Sequence, residues 1–508
     1  MAVTSLRARP QIRDVALTSL LLGLLADQVV RAPGRPGLNV ALWAVAGTLG
    51  LSLLSRPRET PVSRETWWLV GGAVAFAALL TLRDAEALAV FCLFSAIVLL
   101  GLAAGRGALA WARQAHIAEV AVAAVRIVAL IALGPLGWKV GAARQPADPT
   151  PIGGRTWPRT ARMVARGIVM ALPPLFVLTA LLANADPVFE RLLQHVMFKG
   201  MEPLLEHLFF IGLIAWFTSG YIRAFMVGDD AVMDLVRIPR PALAPSEITI
   251  AVSLLNVLFL AFMAVQVRYL FGGASLVEVT EGLSYAEYAR RGFFELVAAT
   301  AFVVPVLLVA DWAAAEDNLR GRRMLRVTST LLVVLLGGVL ASAAWRMRLY
   351  QLAYGLTEDR LYVSVFMAWL AGVLILLAAM VLRGRRRGFA FAAIVDGLAC
   401  IAVLHVLNPH ALIARVNISR AASGAEIDGS YLRTLSADAV PVLIAKFPAL
   451  PEATRCEVGA MLKERWSGER KGGWRTWNLG DARARRLVAG FSAPADCPHK
   501  AEVTPATF

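Results

Sequence analysis

The chain has 508 residues, 58% of them hydrophobic, with a mean hydropathy of +0.63 and a formal net charge of +15. One helical crossing of a bilayer takes roughly 20 apolar residues, and runs of that length recur from Val15 to about Leu407, which excludes an ordinary soluble protein. The positive charge does not argue for nucleic acid, because Lys and Arg sit mainly between the apolar runs, where they mark cytoplasmic loops and meet anionic lipid.

In chain order, helices are expected near 15–30, 38–55, 67–83, 85–105, 118–138, 164–184, 206–226, 247–270, 293–313, 326–345, 362–382 and 388–407. They are helices rather than barrel strands, since barrels alternate in segments of about ten residues. The first run follows Arg7, Arg9 and Arg13, but Leu24 and Ala26 make a poor cleavage site, so it is read as a retained span. Only Arg83, Asp84 and Glu86 separate the third and fourth runs, which form either a tight hairpin or one broken helix. The fold class is therefore all-α: a polytopic bundle of about 11 to 13 spans with a small, mostly helical C-terminal soluble domain. Three regions are expected: an N-terminal group of spans with a basic loop (1–163), a transmembrane core (164–407) and the tail (408–508).

Basic connections alternate with poorly basic ones. The basic set is Arg144, Arg155, Arg159, Arg162 and Arg166; then Arg223, Arg237 and Arg240, offset by Asp229, Asp230 and Asp234; then Arg320, Arg322, Arg323 and Arg326; then Arg383, Arg385, Arg386 and Arg387. Between them lie Asp186, Glu202 and Glu206, then Glu278, Glu281 and Glu287, then Glu358 and Asp359. The positive-inside rule puts the basic set in the cytoplasm and the tail outside. Twelve spans would put the amino terminus outside as well, against the preference of its arginines; one miscounted early span removes the conflict.

In the tail, Val458, Met461, Leu462 and Trp466 fall on one helical face after Pro451, and Leu487 and Val488 precede a stop at Gly490. Cys92 and Cys400 lie in apolar runs, whereas Cys456 and Cys497 share the tail; an extracytoplasmic tail would permit a disulfide between them, two free thiols being the alternative. Ionisable groups inside spans are costly unless paired or wetted. Asp27, Glu119, Arg126, Glu295, Asp311, Asp396 and His405 qualify by position. Glu119 and Arg126, seven residues apart, share a face as an intramembrane charged pair, serving either an ion pathway or interhelical structure. The densest polar stretch is Arg346, Arg348, Tyr350, Gln351, Tyr354, Glu358, Arg360 and Tyr362. Arg346, Tyr350 and Tyr354 repeat every four residues, either as an anion- or sugar-binding stripe or as an interfacial aromatic belt with snorkelling arginines.

The segments Ala183 to Phe189 (ANADPVF), Arg290 to Val297 (RRGFFELV), Arg346 to Tyr362 (RMRLYQLAYGLTEDRLY), Asn408-Pro409, Ala411 to Asn417 (ALIARVN) and Ser436 to Pro441 (SADAVP) resemble a bacterial family of multi-pass proteins, domain of unknown function 4173. The resemblance covers about residues 164 to 440 and implies an integral protein of the bacterial inner membrane, with no activity or catalytic residue to transfer. It focuses attention on Asp186, Glu295, Arg348, Tyr354, Arg360, Asn408 and Arg415, which would gather with Arg346 and Tyr350 around one outward-facing ligand site.

No cofactor is expected: of six histidines only His405 lies in a span, no di-iron, phosphate-loop or hydrolase signature occurs, and His195, Glu202, Glu206 and His207 lack a diagnostic metal spacing. The expected partners are the lipid bilayer and an envelope protein or small-molecule ligand, with no nucleic acid. Two functions fit: a non-enzymatic transport, sensing or envelope-assembly component that binds at its outer face, or an interfacial enzyme on a lipid-linked substrate with Glu295 or Asp186 as base. The residues do not set the oligomeric state.

Overall fold

In hydrocarbon every backbone N–H and C=O must be satisfied within the segment, which a helix does and an open strand does not. The computed structural model of the chain describes residues 12–31, 34–55, 62–104, 113, 117–142, 160, 178–179, 182, 185–186, 202–227, 243–281, 293–314, 319–384, 387–468 and 473–492. Among these the chain forms helices and no strand. The long helices are α1 (Ile12–Val29), α2 (Leu38–Ser55), α3 (Arg64–Leu79), α4 (Glu86–Ala104), α5 (Ile117–Ala142), α6 (Glu202–Val227), α7 (Pro245–Glu281), α8 (Phe293–Ala313), α9 (Leu319–Tyr354), α10 (Glu358–Leu376, extended by a π turn Leu377–Val381) and α11 (Phe389–Leu407). Eight of the described helices are long and apolar enough to cross a membrane. The expected helix at 164–184 lies almost wholly outside the described residues.

The third and fourth runs form a hairpin, α3 packing on α4 across a turn at residues 80–85. Two apolar cores hold the bundle. One joins α7, α8, α9 and α10 through Val252, Val304, Leu332, Leu336, Val339 and Leu370; the other joins α1 to α4 with α6 through Val15, Leu51, Val70 and Phe225. Elsewhere the helices turn large apolar side chains outward, as at Val90, Phe94 and Ile97 on α4 and Ile250, Leu254 and Val257 on α7. Such faces lose contact with water only against lipid.

One end of the bundle gathers residues 30–31 and 34–37, the connections 80–85 and 355–357, and Asn408. Arg35 pairs with Asp84 at 3.2 Å, and Arg83 donates twice to the His405 carbonyl, at 2.8 and 3.1 Å, capping α11. The opposite end carries Arg320, Arg322, Arg323 and Arg326 at the start of α9, with Arg383 and Arg387 after α10. Because the α1–α2 connection lies at the tail end, α1 starts at the basic end, where Arg13 stands exposed. The start of α1 and the tail therefore lie at opposite ends of the bundle.

Asn408 makes the break between bundle and tail. It takes the left-handed conformation (φ 51°), ends α11 and accepts the Ala411 N–H, while Pro409 opens α12 (Pro409–Ala422). Asn tolerates that conformation best after Gly, and Pro suits a first helical position. The tail continues through α13 (Gly429–Thr434), α14 (Val440–Ala445), α15 (Glu452–Trp466) and α16 (Leu479–Ala489). The apolar face read in α15 is buried, together with Ile413, Ile418, Leu432, Leu443, Ala484 and Val488; Leu487 stays exposed. Pro451 caps α15, one place earlier than its expected first helical position.

The tail core reaches into the bundle through Leu356 and Leu361. There Asn417 on α12 grips the α9–α10 turn from both sides: its Oδ1 accepts the Leu356 N–H and its Nδ2 donates to the Leu356 carbonyl, each at 2.8 Å. Arg420 donates to the Leu352 and Ala353 carbonyls at 2.8 and 2.9 Å, satisfying the end of α9. Gly355 (φ 79°) lets the turn pass this close, since a Cβ there would stand 2.7 Å from Asn417 Oδ1. Asn417→Ala removes both Leu356 bonds and is expected to cost about 2 kcal/mol, read as a lower thermal midpoint of the purified protein; Arg415→Ala, an exposed neighbour on the same helix, should leave the midpoint unchanged.

Candidate functional site

Several of the polar segments singled out in the sequence meet at the tail end, where most of their bonds hold the tail in place. At the α3–α4 turn two aspartates exchange bonds. The Asp84 N–H donates to Asp438 Oδ2 at 2.7 Å, while Asp84 Oδ2 accepts the Ala437 N–H at 3.2 Å. Arg35 and Asn478 Nδ2 complete the Asp84 carboxylate, the latter at 3.2 Å. At the α9–α10 turn the Glu358 N–H donates to the Tyr431 hydroxyl at 2.8 Å. The Glu358 carboxylate lies 3.0 Å from His410 Nε2, and His410 Nδ1 accepts the Ser436 N–H at 2.7 Å, so that ring nitrogen carries no proton. His410, Ser436 and Asp438 are all buried.

Charge alone did not mark this junction. Arg83, Asp84, His410, Asn417, Tyr431, Asp438 and Asn478 form no polar cluster in the sequence, because each binds a segment distant along the chain. The available signal was the placing of Asn, Asp and Ser beside turns and helix starts, where such side chains serve backbone groups.

The second feature is a groove between α9 and α10 with a cavity of about 600 Å³. Val333, Leu340, Met367, Leu374 and Ile375 line its walls, and Gly337, Ala341, Ala344, Ala368, Ala371 and Ala378 leave it open. From Ser364 to Ala378 it runs about 21 Å along α10. Its polar members, Arg348, Gln351 and Ser364, all stand at the tail end. Gln351 Nε2 donates to Ser364 Oγ at 2.9 Å, whereas the Arg348 side chain is exposed. Beside this mouth Arg360 stacks 4.1 Å from the centre of the Tyr350 ring and 5.9 Å from that of Tyr354; the two rings meet edge to face at 5.1 Å. A guanidinium over aromatic faces is held in place without losing its charge.

The expected outer site thus divides. Arg360 meets Tyr350 and Tyr354, whereas Arg348 stands with Gln351 on the groove lining. Arg346 does not join them: it is buried and donates to Gln266 Oε1 on α7 at 2.7 Å, an oxygen that also accepts from Ser342 at 3.3 Å. The four-residue spacing that suggested one stripe puts Arg346 more than a turn deeper, where α7 packs on α9. Asn408 is committed to its cap. Glu295, exposed on the first turn of α8, and Arg415, exposed on α12, make no ion pair with the cluster. Asp186 is exposed, and most of the residues around it lie outside the described ones.

Inside the bundle, Glu119 and Arg126 lie half-buried on α5, away from the groove. Buried Asp27 accepts from His207 Nδ1 at 2.7 Å and pairs with Arg31, which also binds Glu206. Two members of the connection weighed as a metal loop are therefore engaged between helices, and among the described residues no three His, Cys, Asp or Glu side chains form a metal-binding group. Cys456 is disulfide-bonded, while Cys92 and Cys400 are free thiols; Cys497, its expected partner, lies outside the described residues.

Burial pushes the Asp438 carboxyl above its ordinary value, and the charge of Asp84 adds to this against the opposing Asp84 N–H bond. A carboxyl whose folded value exceeds its unfolded one destabilises the fold while ionised, and that penalty fades as pH falls through the folded value. The tail should therefore be held more tightly near about pH 5 than at about pH 7.5. Asp438→Asn should flatten this dependence. Hydrogen exchange of residues 437–450, corrected for intrinsic rates, measures both.

No curated protein and no solved structure matches the chain. A family model does match, over residues 70–445, and is described as Domain of unknown function (DUF4153). That corrects the number 4173 suggested by the motifs, and it extends the family region back from about 164 to the α3–α4 hairpin, taking in Asp84 as well as Asp438. The chain is a multi-pass helical membrane protein, and it belongs to the DUF4153 family.

Proposed function

We propose that this protein is a non-enzymatic transport, sensing or envelope-assembly component that binds an anionic amphiphile in the α9–α10 groove. The apolar part of the ligand would lie along the alanine-lined wall and its headgroup at Arg348, Gln351 and Ser364. The observation that carries this reading is the groove itself: about 600 Å³, apolar along its length, with its polar residues gathered at one end. The volume falls within the range of small-molecule sites, and an exposed arginine at the mouth favours a phosphate or carboxylate.

The competing reading, an enzyme on a lipid-linked substrate, needs a carboxylate, histidine or thiol within reach of the reacting group. None of the groove-lining residues is one. Of the two acidic residues that open α10, Glu358 is turned to His410 and Asp359 is exposed, off the groove lining. These facts favour binding over catalysis.

We place the protein in the bacterial cytoplasmic membrane with the tail and the groove mouth outside. The arginine-rich end lies opposite the tail, as the positive-inside rule requires for a cytoplasmic face. The disulfide-bonded Cys456 also fits an oxidising compartment.

Binding of a fluorescent phosphatidic acid to the protein in nanodiscs of zwitterionic lipid tests the proposal. Arg348→Ala should weaken it about tenfold, the loss of one charge-assisted hydrogen bond, and Ala371→Phe should weaken both this and a zwitterionic analogue by filling the groove. Unchanged phosphatidic acid affinity in both variants would refute the groove as the site.

A further inference from the structure

The tail segment 473–479 turns at 473–476, where the Trp477 N–H donates to the Trp474 carbonyl at 3.2 Å, and leads into α16 at Leu479; Thr476 and Asn478 are buried, whereas Trp474, Trp477 and Leu479 are exposed at 58%, 37% and 48%. Its buried side is fixed to the bundle by backbone bonds. The Asn39 and Leu38 N–H groups, at the start of α2, donate to the Arg475 and Trp477 carbonyls at 2.8 and 3.1 Å; the Leu479 N–H donates to the Thr81 carbonyl after α3 at 2.7 Å. Gly37 makes the approach possible, since a Cβ there would stand 2.8 Å from the Trp477 carbonyl oxygen. Two tryptophans and a leucine are thus held at the level where α2 begins and α3 ends.

That level is the edge of the apolar zone. Leu42, Val45, Leu49 and Leu53 follow along α2 at helical spacing, each at least 40% exposed, and Leu82 is 43% exposed beside the anchoring Thr81. The Trp474–Leu479 patch continues this lipid-facing surface into the tail. Trp68, 68% exposed near the start of α3, stands toward the other end of that helix. Tryptophan concentrates at both bilayer interfaces, where its ring sits among headgroups. Arg475, half-buried with its guanidinium 5.9 Å from the Trp474 ring centre, adds a cation beside the patch.

We propose that residues 474–479 are an interfacial anchor: Trp474, Trp477 and Leu479 enter the headgroup–acyl boundary of the membrane and seat the tail on the bilayer as well as on the bundle. The occupant of the patch is lipid. This rests on the membrane-spanning fold and is independent of the ligand in the α9–α10 groove.

Spin labels test it in full-length protein in nanodiscs. Trp474→Cys, Trp477→Cys and Leu479→Cys would each be labelled in a background lacking the free thiols Cys92 and Cys400, with Gly468→Cys as an exposed reference on the tail. Collision with oxygen, which concentrates in lipid, is compared with collision with a water-soluble nickel chelate. The anchor predicts an oxygen-to-nickel ratio several-fold higher at 474, 477 and 479 than at 468. Ratios equal to that at 468 would overturn it and leave the patch to a protein partner. Quenching of the unlabelled protein by brominated lipid is a second reading, expected to fall in Trp474→Phe/Trp477→Phe; unchanged quenching would contradict the anchor too.

Discussion

Turns at the end of a membrane bundle leave backbone donors and acceptors that the helices cannot satisfy, and here the tail satisfies them. Asp438 accepts the Asp84 N–H and Asp84 accepts the Ala437 N–H across two distant segments, and Asn417 takes both the donor and the acceptor of Leu356. Each bond is modest alone, but a buried group left unpaired would cost more than the bond contributes. The reciprocity fixes the register of tail against bundle, because sliding either by one residue would break several bonds together. What lies beyond depends on that register: Leu356 and Leu361 enter the tail core, Tyr431 reaches Glu358, and segment 473–479 lies along the start of α2.

Much of the architecture is legible in the sequence because bilayer thickness imposes a length on hydrophobic runs. The starts of α2 and α8 and the ends of α2, α8 and α11 agree with the apolar runs to the residue. The ends of α9 do not: it covers 319–354 against an expected 326–345, since polar Arg320 and Gln351 continue a helix whose apolar part alone was visible. The bonds that dock the tail were hidden for a different reason. Asp84 and Asp438 are 354 residues apart and neither sits in a motif with its partner, so only the fold reveals the pair.

The site was half legible. Tyr350, Tyr354 and Arg360 stand out as residues crowded into a short polar stretch, and these three touch, while Arg348 turns to the groove. Arg346 belongs to the same crowd by spacing yet points into α7, because two helices packing closely at Gln266 offer it a buried acceptor that no local pattern announces. The groove leaves no motif at all: its wall mixes Gly337 and alanines with larger apolar residues of α9 and α10, which read as ordinary apolar helix until the two faces are set side by side. Polar groups of the tail are consumed by the dock, while those at the groove mouth remain turned outward, and that contrast separates the holding part of the molecule from the receiving part.

The most direct measurement of the docked tail is a cross-link between residues joined by backbone alone. Thr81→Cys and Leu479→Cys flank the 2.7 Å bond from the Leu479 N–H to the Thr81 carbonyl; Leu479 is exposed and Thr81 half-buried. With Cys92 and Cys400 replaced, mild oxidation of native membranes should join residues 81 and 479 in nearly every molecule, seen as a linked peptide by mass spectrometry, and reduction should release it. Failure to form the link while a maleimide modifies both cysteines would show that the tail does not rest on the α3–α4 turn.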